Sequence, residues 1–121
     1  MKQTKMEERR KFFRLRASVN VSYTKRKATE EEKSTSSKDI SRGGICLIVN
    51  EELQESDLLD LKISLPRYTK PIYAAGRVVW IKEITVGDVS RGKKFYSGIE
   101  FIKIDERDAK EIEKFVFAER V

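Results

Sequence analysis

Leu15-Arg16-Ala17-Ser18-Val19-Asn20-Val21-Ser22-Tyr23 alternates apolar and polar residues without a break. Successive side chains of a strand point to opposite faces, so this period of two predicts one half-buried β-strand over the whole stretch. The flanks of the strand carry the chemistry. Upstream, Arg10-Lys11-Phe12-Phe13-Arg14 offers two guanidinium groups four residues apart. Downstream, Asp39-Ile40-Ser41-Arg42-Gly43-Gly44 offers a carboxylate, a hydroxyl and two glycines within six residues.

Working outward, residues 24–38 are almost wholly polar and predict a loop, whose serines and threonines can extend a strand at its edge. Ile45-Cys46-Leu47-Ile48-Val49 is a short apolar run, the pattern of a strand buried on both faces. Leu59, Leu61, Ile63 and Leu65 alternate with polar residues until Pro66 closes the strand. Residues 72–84 and Phe95 to Ile104 predict a long hairpin, with Gly76 a bulge or close-packing point and Trp80 a packing residue of the barrel. The period then changes. Asp105 is a good N-cap, Glu106 and Asp108 put negative charge in the first turn, and Ala109, Ile112, Phe115 and Val116 share a face, so a helix is predicted over about residues 105–119. Five or six antiparallel strands followed by one helix predict an all-β barrel, which removes exposed sheet edges, with the helix covering one opening.

A chain of 121 residues and 14.1 kDa fits one domain and can bury a core without metal or disulfide staples. Its single cysteine, Cys46, excludes an internal disulfide and fits a reducing cytoplasm, the expected location. No apolar run approaches the ~18–20 residues of a membrane span. The net charge of +6 is concentrated in residues 1–16, where seven lysines and arginines face two glutamates. Residues 1–14 are therefore predicted to be a flexible basic arm that attracts anions, and residues 15–121 a near-neutral barrel with its helix. No histidine is present, and no nucleophile–base or metal-ligand cluster stands out, which argues against an enzyme and against a metal or other cofactor. A nucleic-acid-binding small barrel would explain the basic arm, but a near-neutral body without a row of stacking aromatics makes a poor groove.

Arginine is 11 of the 121 residues, so an Arg-x-x-x-Arg pair carries little information. The Asp/Asn-x-Ser-x-x-Gly string is rarer, expected roughly 0.03 times in a chain of this composition. Together, in this order around one strand, they offer groups able to bind a compact anionic guanine nucleotide. They resemble the paired signature of the PilZ domain family, bacterial receptors for cyclic di-GMP. The resemblance extends over nearly the whole chain, through Glu8-Arg9-Arg10, Gly76-Arg77-Val78-Val79-Trp80, Ser97-Gly98-Ile99-Glu100-Phe101 and the closing helix. It implies a six-stranded antiparallel barrel with a C-terminal helix.

By that resemblance, Arg10 and Arg14 would bind the guanine bases and phosphates of cyclic di-GMP, Asp39 and Ser41 would contact it from the barrel, and Gly44 would supply a special backbone conformation or a close approach. Arg9 is a further candidate cation. The chemistry agrees: a guanidinium can read guanine O6 and N7 as a fork or stack on the base. Asp39 can accept from the N1–H and amino donors that adenine lacks as a pair. The resemblance also implies a receptor, monomer or homodimer, that changes conformation on binding and signals to a protein partner, typically of motility, adhesion or exopolysaccharide machinery. A ligand-free adaptor on the same fold is the alternative. Asp88-Val89-Ser90-Arg91-Gly92-Lys93 nearly repeats the second motif, with Lys93 in place of its final glycine, and predicts a plain hairpin turn.

Overall fold

The computed structural model describes residues 12–27, 31–84 and 92–119. Within them lie the strands β1 (Arg14–Leu15), β2 (Asn20–Lys25), β3 (Lys33–Ser41), β4 (Gly44–Val49), β5 (Leu58–Ser64), β6 (Ile72–Ile84) and β7 (Lys94–Ile104), and the helix α1 (Glu106–Glu119). Six strands close a ring: β2 pairs with β5, β5 with β6, β6 with β7, β7 with β4, β4 with β3, and β3 again with β2, every pair antiparallel. Outside the ring, β1 pairs with the stretch of β3 that runs past β2. The alternating residues do what their period predicts. Val21, Tyr23, Leu59, Leu61 and Ile63 enter the core from β2 and β5, and Ile45, Leu47, Val78 and Ile99 from the opposite wall. Each such burial contributes about 1.5–3 kcal/mol relative to exposure.

The helix begins where its N-cap predicts, with the Arg107 N–H donating to Asp105 Oδ1 at 2.8 Å. Ala109, Ile112 and Val116 are buried, and α1 packs against β1 and β3. It thereby covers the barrel end at which β3 turns into β4. Tyr68, from the β5–β6 connection, braces it by donating from its hydroxyl to Asp108 Oδ1 at 3.1 Å.

Two expectations fail here. The alternating stretch from Leu15 is not one strand, because residues 16–19 leave the ladder: Arg14↔Ser41 and Leu15↔Ile40 are out of register by one residue with Asn20↔Ser36 and Val21↔Thr35. Ser37 spans the break. Its hydroxyl donates to the Ala17 carbonyl at 2.5 Å and accepts from the Val19 N–H at 3.0 Å, supplying bonds that a ladder partner would otherwise make. Nor are residues 24–38 a loop throughout, since β3 begins at Lys33. Its polar residues fit a strand because some of its hydroxyls bond across it: besides Ser37, Thr35 Oγ1 donates to the Ile48 carbonyl. Gly76 behaves as expected, at a register shift between Ala75 and Gly76 and against the Ile99 side chain, which leaves no room for a Cβ.

Candidate ligand-binding face

Strand phase decides which side chains face out of the barrel. Between Ser37 and Asp39 the β3–β4 register shifts, so that Lys38 is an extra residue and Asp39 stands opposite Cys46. This bulge resets the alternation: Ile40 is fully buried in the core, and Asp39 and Ser41 lie on the outer side. On β4, Ile45 and Leu47 belong to the core, which turns Cys46 outward; on β7, core Phe95 and Ile99 turn Tyr96 and Gly98 outward. The outer surface of β3, β4 and β7 thus has a middle of small residues, Gly44, Cys46 and Gly98, paired in register as Cys46↔Gly98. Larger groups border it.

On one border the two sequence motifs meet. Arg14 pairs with Ser41 across the β1–β3 ladder, and its Nη1 donates to Asp39 Oδ1 at 2.9 Å. Both side chains remain reachable, at 34% and 19% relative exposure. Ser41 is more committed: its hydroxyl accepts from the Gly43 N–H at 3.1 Å and lies 3.4 Å from the Gly44 carbonyl, to which it donates. It holds the tight turn of Arg42 and Gly43 between Ser41 and Gly44. Neither glycine has a left-handed backbone; Gly92 is the described glycine that does. Space is what they supply. A Cβ on Gly44 would run into the Ile99 carbonyl oxygen, and one on Gly43 would sit 2.9 Å from the Phe12 ring. For Gly44, of the two roles open from sequence, close approach is the one present.

Trp80 occupies another border, with its indole where a Cβ of Gly98 would lie and 39% of its surface exposed. It packs on the outside of the barrel rather than in its core. At the third border the Lys38 ammonium stands 4.3 Å from the centre of the Tyr96 ring. Beneath, burial pushes the Cys46 thiol up to about 11, the Asp39 carboxylate adding to the shift. A thiol held neutral in this way is an inert spacer rather than a nucleophile.

Beside the face, the Arg42 guanidinium donates to Glu113 Oε1 at 3.0 Å and to Glu106 Oε2 at 2.5 Å, tying the motif's turn to α1. It also lies over the Phe12 ring, while Phe13 meets Phe117 edge-on at 5.7 Å. Phe12, Phe13, Arg42, Glu113, Val116 and Phe117 line a groove of about 260 Å³ between residues 12–13 and the helix.

Of the residues expected to bind ligand, Arg14, Asp39, Ser41 and Gly44 come together; Arg9 and Arg10 lie outside the described residues, as does most of the Asp88–Lys93 near-repeat. Lys38 and Tyr96 carry no motif, and the bulge that brings them here leaves no mark in the hydrophobic pattern. Among the described residues there is no group of acidic, cysteine and histidine side chains able to hold a metal ion, and no helix long and apolar enough to cross a membrane.

Comparison with known proteins agrees with this architecture. The PilZ domain model matches residues 8–118. The PilZ domain of YcgR from Escherichia coli, solved with c-di-GMP, superposes with a TM-score of 0.71 at 18% identity, covering 91% of this chain and 90% of that one. The Bacillus subtilis inhibitor of motility MotI/DgrA gives 0.71 at 24% identity over 93% of this chain and 53% of its own length. The K. pneumonia MrkH–c-di-GMP complex gives 0.72 at 22% identity, covering 90% of this chain and 50% of that one. The chain therefore spans about half the length of MotI and of MrkH. No curated protein sequence matches it. A family match over all but the ends of the chain, and a six-stranded barrel with one outer strand and a closing helix, make this chain a member of the PilZ domain family.

Proposed function

We propose that the chain is a receptor for cyclic di-GMP that binds the nucleotide on the outer face of β3 and β4 and passes the event to a protein partner. The observation that carries this reading is the meeting of Arg14 and Asp39 in one ion pair beside Ser41 and Gly44. Arginine and carboxylate, side by side, complement the two edges of guanine: Asp39 accepts from N1–H and the amino group, and Arg14 donates to O6 and N7 or stacks on the ring. Their mutual bond is the resting arrangement. A guanine that offers both groups a partner replaces one solvent-touched ion pair, itself worth about 0–1 kcal/mol, by several charge-assisted hydrogen bonds. Arg10, on the same arm, adds a second guanidinium. Ser41 keeps the turn in shape and can redirect its weak bond from the Gly44 carbonyl to the ligand.

Arm and helix supply the output. Closing the arm over a nucleotide moves residues adjacent to Phe12 and Phe13, which pack near Arg42 and Phe117, so occupancy alters the surface around α1. The reading is of a binding module, with no catalytic step.

Calorimetric titration with cyclic di-GMP, cyclic di-AMP and GTP tests it on the native chain and on Arg14→Ala. Cyclic di-GMP is expected to bind with at least tenfold preference over the other two, and Arg14→Ala to weaken it at least tenfold. A folded chain that gives no heat with cyclic di-GMP is the ligand-free adaptor instead. Equal affinity for cyclic di-AMP would remove the specificity role of Asp39.

A further inference from the structure

Charge on the outer face is unevenly satisfied. Arg14 is neutralised by Asp39, and on the neighbouring strands Arg77 is neutralised by Glu100 at 2.9 Å. Lys38 makes no ion pair among the described residues; its ammonium is held over the Tyr96 ring at 4.3 Å. An aromatic ring holds a cation without cancelling its charge, and the contact is shallow enough to be given up to a stronger partner. Such a contact also lowers the ordering entropy that a lysine otherwise loses on binding.

The position of Lys38 is built into the backbone. It is the extra residue of the bulge whose next residue is Asp39, and the two together oppose Cys46. In such a bulge both residues of the longer strand can project on one side, and the stacking on outward-facing Tyr96 shows that Lys38 does. Asp39 stands across the ladder from Cys46, Arg14 is bonded to Asp39 and Lys38 is stacked on Tyr96, so all three charged groups border the same small-residue floor. A carboxylate suited to a base edge thus has a cation next to it that no carboxylate among the described residues claims. A dinucleotide ligand carries phosphates beside its bases, and an ammonium is a point charge suited to phosphate oxygen but not to the forked edge of guanine.

We propose that Lys38, raised onto the outer face by the β3 bulge and held by Tyr96, is a phosphate-binding residue of the nucleotide site. This rests on the receptor reading above and adds to the arm's arginines a cation borne by the barrel itself.

The test is titration of cyclic di-GMP into the native chain, Lys38→Gln, Tyr96→Leu and Lys82→Gln, at low and at physiological salt. Lys82 is the matched control: it is exposed and stands across the ladder from Tyr96. Lys38→Gln is expected to weaken binding about tenfold and to flatten its decline with salt. Tyr96→Leu, which keeps the charge but frees it, should cost about two- to threefold. Unchanged affinity in Lys38→Gln overturns the assignment, and so does an equal loss in Lys82→Gln, which would reduce the effect to general positive charge. A native chain that binds no cyclic di-GMP overturns the receptor reading and this assignment with it, whereas native binding with an unaffected Lys38→Gln overturns the assignment alone. Unchanged thermal melting of each variant separates these outcomes from misfolding.

Discussion

Ser97 sits on β7 between Phe95 and Ile99, fully buried, and its hydroxyl has no hydrogen-bond partner among the described residues. An unsatisfied buried hydroxyl costs about 1–3 kcal/mol, whereas an apolar group in the same place is neutral or better. Ser97→Ala is accordingly expected to stabilise the barrel by about 1 kcal/mol, read as a higher urea midpoint with an unchanged m-value. A lower midpoint would mean that the hydroxyl is satisfied after all. At the same scale, the two motifs stood out because their residue types are chemically unusual together, and of these residues the structure brings Arg14, Asp39, Ser41 and Gly44 to one place, with Arg10 outside the described residues. Lys38, Tyr96 and the exterior position of Trp80 were not, since a lysine, a tyrosine or a tryptophan in a strand is equally at home on either face until the register is known.

Among the elements, β3 departs furthest from its sequence pattern. Its residues are almost all polar up to Ile40, yet it pairs with β1, β2 and β4. Ser37 makes this possible by bonding the Ala17 carbonyl and the Val19 N–H at the break between β1 and β2. Ser37→Ala leaves both backbone groups without those partners and should destabilise the protein by about 2–3 kcal/mol. Amide hydrogen exchange should quicken first at Val19 and its neighbours, and protection equal to the native chain there would show that the hydroxyl is dispensable. By contrast, β4, β5, β6, β7 and α1 lie where periodicity and capping place them, because each buries one clear apolar face or is buried on both.

Across the whole molecule, the barrel end far from α1 is tied by one carboxylate. Glu51 accepts from the Tyr23 hydroxyl at 2.6 Å and from Lys33 at 2.7 Å, and pairs with Lys25 at 3.0 Å, so that β2, β3 and the segment after β4 are joined. Burial pushes the Glu51 carboxyl upward, but the hydrogen bonds from Lys33, Tyr23 and Lys25 outweigh it and hold it down at about 2, against 4.5 ordinarily. A carboxyl depressed in the folded state stabilises fully above its unfolded value and loses that contribution as the pH falls from about 4.5 toward about 2. Solvent reaches the cluster, so its worth is about 1–2 kcal/mol after screening. Glu51→Gln is expected to lower stability by that amount at pH 7 and to flatten the acid limb of a stability–pH curve; an acid limb identical to the native one would refute the linkage.

By itself the sequence determined the class of the fold, its closing helix, the basic bias of residues 1–16 and the two strings that mark the family. Periodicity and capping are local, and the chemistry of a motif travels with its residues. Tertiary structure decided the break between β1 and β2, the strand hidden in a polar stretch, and the phase in which β3 meets β4. That phase depends on which residue of a distant strand fills each vacant hydrogen bond. It sets Asp39 against Arg14, and it sets Lys38 over Tyr96.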